Sequence, residues 1–343
     1  MSKLSNPMLA DRWGRAVKLA GRLLAAAVLL GLAAWLVGLR ALLEQLRRVD
    51  PVWFAMAVIA LAVSQWVSVV RWTSIAAILG LKAPARDLRL AYAQALAVNV
   101  VLPGATLGGD TLRSVRLHHL GNPLGESALS VLLDRASGLW ILCVLSLLTG
   151  FGLLVTGNLD RIGRIAALPG LDVRTAAWVY VCVLSVAVAV PFLPLRLPSA
   201  GPGHGRWRRV LARMAELHML TISRGRQLAR TLWISLVVQI LCAFALWLCL
   251  EAAGGGAGYF AVQAIAAPVF IAGVVPLSYG GFGARELVSL LAFSLIGVGA
   301  QTAVAASALY GLAAVLMGLA TAPLLVMRRG PRDSEEQSGV LPS

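Results

Sequence analysis

Two glycine-rich segments, each hinged on a proline and each interrupting a hydrophobic run, limit what this chain can fold into. The first runs from Asn99 through Pro103, Gly104, Gly108, Gly109 and Asp110 to Arg113. The second runs from Gly273 through Pro276, Ser278, Gly280, Gly281, Gly283 and Arg285 to Glu286. Proline cannot donate a backbone hydrogen bond and disfavours helix at the residue before it. The glycines open backbone geometries closed to other residues. Irregular backbone inside a membrane is tolerated only where it is buried in protein or lines a wet cavity. Such interruptions at corresponding places in two halves of an apolar chain point to the binding site of a membrane transporter.

Composition supplies the membrane. The 343 residues are 59% hydrophobic and 13% charged, about half the charged fraction of a soluble domain. Several apolar stretches reach the roughly 20 residues that a helix needs to cross a bilayer. Period-2 alternation is absent, so an all-α, polytopic helical membrane bundle is expected rather than a barrel. Six full crossings are predicted, at about 17–39, 52–72, 127–155, 176–195, 231–250 and 301–327. Two re-entrant segments are predicted at 86–119 and 259–298, and reading both as helix pairs gives an eight-crossing version. The N-terminal apolar run is too long for a cleaved signal and reads as a first helix that stays.

The net charge is +15, and the basic residues cluster in loops beside apolar spans. That excludes a nucleic-acid reading in favour of topology and contact with anionic headgroups. With the N-terminus inside, 22 Lys and Arg fall on cytoplasmic segments and 6 on outside loops, as the positive-inside rule requires. Treating 86–102 as a complete crossing would turn the arginine-rich loop 196–230 outward and break the rule. The expected organisation is a basic tail 1–16, a membrane domain 17–327 and a polar tail 328–343. The halves, about 17–195 and 231–327, are joined by the basic loop 196–230 and expected to be roughly inverted. A bacterial cytoplasmic membrane with both termini inside is the expected location.

Charges near the bilayer interior are costly and usually functional. Asp110 and Arg113 are three apart and share a helix face. A helix starting near Asp110 would aim free N–H groups at the break, or use Asp110 as a cap. Arg285 and Glu286 follow the second break, as a headgroup contact or a mutual ion pair. Asp134 and Arg135 lie early in the third crossing, where Ser127, Ser130, Asp134 and Gly138 make a polar stripe. Arg135 is expected to reach headgroups. Ser64, Ser68 and Arg71 make a similar stripe, with Arg71 and Trp72 read as interface anchors. Ala314 and Gly318 read as a packing pair. The four cysteines, all in apolar spans, read as small buried side chains. No nucleotide fingerprint, hydrolase elbow or metal motif is present, so no cofactor is expected. An intramembrane transferase would have to rest on Asp110 with His118 or His119.

As a set, Arg71-Trp72, Asn99…Pro103-Gly104…Gly108-Gly109-Asp110…Arg113, Asp134-Arg135…Gly138 and Pro276…Gly280-Gly281…Gly283…Arg285-Glu286 carry a resemblance. From about residue 17 to 327 the chain resembles the flippase-like transmembrane domain of lysylphosphatidylglycerol synthases, which also occurs alone in the UPF0104 group. Similar proteins accompany archaeal dolichol glycosylation and bacterial hopanoid pathways. The resemblance implies movement of an anionic phospholipid or a polyprenyl- or isoprenoid-linked lipid between leaflets, with membrane lipids and a lipid-modifying enzyme as partners. It does not imply lysyl transfer, which belongs to a separate soluble domain of the synthases. On this reading Arg113, Arg135 and Arg285 contact a phosphate, while Asp110, Asp134 and Glu286 balance them, accept a cationic headgroup or take up a proton. The second expectation is a non-transporting accessory protein of a lipid- or glycan-modifying complex.

Overall fold

The structure, a computed structural model, describes residues 44, 47–101, 106–156, 173–190, 225–274 and 283–326. Residues 1–43, which hold the predicted N-terminal tail and first crossing, residues 196–224 of the arginine-rich loop and both proline hinges lie outside them, so Pro103, Pro276, Ser278, Gly280 and Gly281 have no described geometry; residues 225–230 of that loop are helical. The described residues form α1 (Pro51–Ile78), α2 (Ala85–Val101), α3 (Thr106–His119), α4 (Leu124–Val155), α5 (Val173–Ala189), α6 (Gly225–Ala252), α7 (Tyr259–Val274), α8 (Ala284–Ser294) and α9 (Ala300–Thr321). A 3-10 turn, Ala322–Val326, extends α9, and there is no strand among the described residues.

Four of these helices are long and apolar enough to cross a membrane: Pro51–Ile78, Leu124–Val155, Gly225–Ala252 and Ala300–Leu325. They match four of the six predicted crossings. The apolar helix Arg174–Ala189 falls on a fifth but is shorter. Polarity is reversed from that of a water-soluble protein. Ile59, Trp66, Leu148 and Val186 stand outward, while Ser64, Ser130, Asp134, Ser146 and Glu286 are buried. Exposed apolar faces of this extent need a lipid or protein covering, and with four spans the chain is a polytopic helical membrane protein.

Each predicted interruption separates two helices, α2 from α3 and α7 from α8, and the members of each pair pack on one another. The helix after the first break begins at Thr106. Asp110 therefore stands a turn inside it, correcting its reading as a cap.

The packing has a twofold character. Exchanging α1, α2, α3 and α4 for α6, α7, α8 and α9 maps the contacts between these eight helices onto themselves. Thus α2 packs on α9 as α7 packs on α4, and α3 packs on α4 as α8 packs on α9. The α1–α6 pair maps to itself and is antiparallel: Asp50 N donates to Ala252 O at 3.0 Å, and Cys242 meets Ser64. These two corresponding helices therefore run head to foot. This is the inverted arrangement expected from the sequence.

Local chemistry fixes the pieces. Asp50 caps α1, its Oδ1 accepting from Val52 N at 2.8 Å, with Pro51 where a missing N–H costs nothing. Within α7, Pro268 leaves the Ala264 carbonyl without its helical donor. The Tyr180 hydroxyl donates to that carbonyl at 2.7 Å. Beside it, the Ser146 hydroxyl donates to Gln263 O at 2.9 Å and accepts from Ala267 N at 3.2 Å. Neighbouring helices thus satisfy the backbone that the proline frees, as a membrane interior demands. Gly318 admits α2: a Cβ there would stand 2.2 Å from Val100 Cγ2 and 3.0 Å from Leu96 O. Its expected partner Ala314 faces outward, so the pair is not one packing surface. Of the cysteines, Cys143 and Cys249 are buried, Cys242 is half-buried and Cys182 is exposed, which corrects the expectation of uniform burial.

Candidate functional site

The site grows from the close approach of α2 and α3. The Asn99 side chain accepts from Gly109 N at 2.9 Å. A Cβ on Gly109 would lie 2.5 Å from both Ala95 O and Asn99 Oδ1. Two of the predicted residues thus hold the helix pair closed, which sets the angle at which α3 carries its charges inward. Gly108, next to this contact, is half-buried.

Those charges meet α4 and α1 in a ladder. Asp134 is buried between two guanidiniums: Arg71 Nε donates to its Oδ1 at 2.7 Å and Arg113 Nη1 to its Oδ2 at 2.9 Å. Arg113 turns its other nitrogen to Asp110, Nη2 donating to Oδ1 at 2.8 Å. Arg135 closes the outer end, with Nη2 to Asp110 Oδ1 at 2.9 Å and Nε to Oδ2 at 3.0 Å. Exposure falls along the ladder, from 39% for the Arg135 side chain and 19% for Asp110 to 2% for Arg113 and Asp134. Three arginines face two aspartates, so the ladder holds one positive charge in excess. Burying such charges is repaid only where hydrogen bonds satisfy them, and in this ladder Arg71 Nη1 alone among the guanidinium nitrogens is buried without a partner.

Aromatic rings wall the ladder. The Arg113 guanidinium lies 5.0 Å from the Trp72 ring and 4.9 Å from the Tyr92 ring, a cation–π sandwich in a desolvated place. Trp72 is fully buried and donates from Nε1 to Ser130 Oγ at 3.2 Å. Arg71 and Trp72 are therefore interior residues, correcting their reading as interface anchors. Arg135 binds Asp110, one of the carboxylates expected to balance the arginines. The polar stripe Ser127, Ser130, Asp134 and Gly138 does face inward.

A second cluster occupies the other half. Gly283, at φ 92°, caps α8, a backbone region that favours glycine. Its N–H is bonded by Glu286 Oε2, the reach-back of a glutamate at the third helical position. Arg285 donates from Nη2 to Glu286 Oε1 at 2.9 Å and from Nε to Ser307 Oγ at 3.1 Å. Ser307 in turn donates to Glu286 Oε1 at 3.2 Å, and Arg285 lies 5.7 Å from the Tyr310 ring. This cluster is neutral.

Across the α1–α6 seam, Cys242 donates to Ser64 Oγ at 3.6 Å and lies beside the Tyr310 hydroxyl. Tyr310 in turn faces Arg285 of the second cluster. The transferase set is not assembled. His118 is eight residues beyond Asp110 on one helix, about 12 Å along its axis, and its Nδ1 bonds the Asn122 carbonyl at 2.8 Å. Sequence reasoning missed Arg71, Trp72, Tyr92 and Ser307 as site residues. The stripe that Arg71 shares with Ser64 and Ser68 was the available signal.

Comparison with known proteins agrees with this architecture. A UPF0104 membrane protein of Methanothermobacter thermautotrophicus is 23% identical over 275 residues, covering 77% of this chain and 81% of that protein. The model of the lysylphosphatidylglycerol synthase TM region matches residues 20–322, and the chain belongs to that family.

Proposed function

We propose that this protein is a lipid translocase, moving an anionic phospholipid or an isoprenoid-linked lipid between leaflets. The observation that carries the reading is the arginine–aspartate ladder, which runs from a half-exposed Arg135 to a buried Arg71 with one positive charge in excess. Intramembrane ion networks of this cost are kept mainly for substrate or ion passage. Arginine is suited to phosphate because its planar fork gives two parallel hydrogen bonds. The two inverted halves offer the rearrangement that passage requires. In this reading the protein sits in the cytoplasmic membrane of a bacterium with both termini inside, acts without a cofactor, and hands its lipid to or from a lipid-modifying enzyme.

The neutral Arg285–Glu286 cluster favours a second reading. Its charges satisfy one another, as a pair that only fixes the fold would. A non-transporting accessory protein of a lipid- or glycan-modifying complex would need no more.

Scrambling of fluorescent lipids in proteoliposomes separates the two. Native protein should move anionic phospholipid or polyprenyl phosphate well above empty liposomes, and Asp110→Asn at matched insertion should lose at least tenfold of that rate. No movement of any phospholipid, isoprenoid or aminoacyl lipid by the native chain would refute translocation and leave the accessory role.

A further inference from the structure

We propose that Arg71 and Gln239 form an oxyanion subsite at Gly138, built to take one anionic oxygen of a phosphate or phosphodiester. Arg71 spends its Nε on Asp134, but its Nη1 is buried without any hydrogen-bond partner. An unsatisfied buried donor is costly, the more so when charged, and calls for an explanation such as a ligand. The donor points to Gly138 on α4. A Cβ at Gly138 would stand 2.7 Å from Arg71 Nη1 and 3.1 Å from Gln239 Nε2, the latter arriving from α6. Glycine is therefore what lets both nitrogens converge there.

Gln239 is half-buried and its side chain makes no hydrogen bond among the described residues. Two donors from two helices thus approach one point beside Gly138, and one oxygen about 2.9 Å from each would bridge them. A water would satisfy the geometry but not the charge. The ladder that ends at Arg71 holds one uncompensated positive charge, so a single anionic oxygen completes both hydrogen bonding and charge. The subsite lies at the buried end of the ladder, where α1, α4 and α6 meet. That a lipid supplies the oxygen rests on the translocase reading; the subsite itself rests on the two donors and the charge.

The test uses the full chain purified in detergent, titrated with dihexanoyl phosphatidylglycerol, inorganic phosphate or dioctanoylglycerol. Binding is read by tryptophan fluorescence and by the shift in melting midpoint. Phosphatidylglycerol, phosphate or both should bind, and dioctanoylglycerol should not. Binding by phosphate as well identifies a bare oxyanion site; binding by phosphatidylglycerol alone identifies a headgroup site. Gln239→Glu, nearly isosteric but acceptor-only, should weaken binding at least tenfold, and Gly138→Ala should do the same by displacing the two donors. If instead the Gln239 oxygen simply accepts from Arg71, Gln239→Glu will raise the unliganded midpoint and leave affinity unchanged, overturning the subsite. Should that variant fail to fold, Gln239→Met decides: native affinity overturns the proposal and a loss of tenfold supports it. Absence of binding by both phosphate-bearing probes also overturns it. Binding that follows these substitutions, with lipid scrambling indifferent to them, keeps the subsite and removes translocation.

Discussion

Replacing Asp134 with asparagine keeps the shape of the ladder's central rung and removes its charge. The native carboxylate accepts from Arg71 at 2.7 Å and from Arg113 at 2.9 Å, and hydrogen bonds to charged groups are each worth about 1.5–3 kcal/mol. Asparagine retains one oxygen, so one bond survives as a weaker neutral–charged contact. Its amino group must then face the other guanidinium, donor against donor. The buried excess charge rises from one to two. Breaking a buried pair by removing one partner costs about 3–5 kcal/mol, and both estimates converge there. For a chain of this length that corresponds to a melting midpoint lowered by roughly 4–7 °C, since unfolding entropy scales with residue number. The assay is thermal unfolding of the purified protein in detergent, followed by tryptophan fluorescence. Adding Arg71→Met removes one uncompensated cation and should recover half or more of the loss, because apolar replacement of a buried pair is often close to neutral. An Asp134→Asn midpoint within 1 °C of native would refute the claim that the ladder is desolvated and coupled.

Gly109→Ala should cost about 1–3 kcal/mol, because its Cβ meets the Ala95 carbonyl, which is backbone and cannot swing away; a lowered midpoint with native helical circular dichroism is the expected observation. Gly318→Ala should destabilise similarly against Val100, whereas Gly150→Ala, whose Cβ finds only ordinary contacts at 3.9 Å, should melt as native; equal effects of the two would count against the described α2–α9 approach. Tyr180→Phe orphans the Ala264 carbonyl and should cost about 1–3 kcal/mol, but in a Pro268→Ala background, where the helix supplies its own donor, the same substitution should be nearly silent. A double-mutant cycle that finds the two effects additive would show that Tyr180 does not serve the proline.

The helix–break–helix segments were legible because proline and paired glycines are local signals. So was the inward stripe of Ser127, Ser130, Asp134 and Gly138, since helical spacing assigns a face. What local pattern cannot supply is a partner. Arg71 meets Asp134 across 63 residues, and nothing near Arg71 in sequence distinguishes a buried ladder end from a headgroup anchor beside a tryptophan. Arg135 pairs with Asp110 on another helix, which the sequence suggested only as charge balance and without geometry. Asn99 and Gly109 were singled out by the same local signal, and they bond one another where the helix pair closes. The inverted arrangement was readable as an expectation from charge bias, and the packing supports it through the exchange of neighbours between helix sets and the antiparallel seam of α1 and α6.

That seam carries a kinetic implication. When two halves are built alike and set head to foot, any shape the first can adopt against the second is also open to the second against the first. In the translocase reading, a conformer facing one leaflet would therefore have a twin facing the other, reached by trading roles rather than by inventing new contacts. The twins would be equal in energy if the halves were identical. Here one half holds five charged side chains in its ladder and the other holds two in its cluster, so on the translocase reading the twins would differ in energy and one direction would be preferred at rest. Moving a charge from one half to the other would then be the way to reverse it.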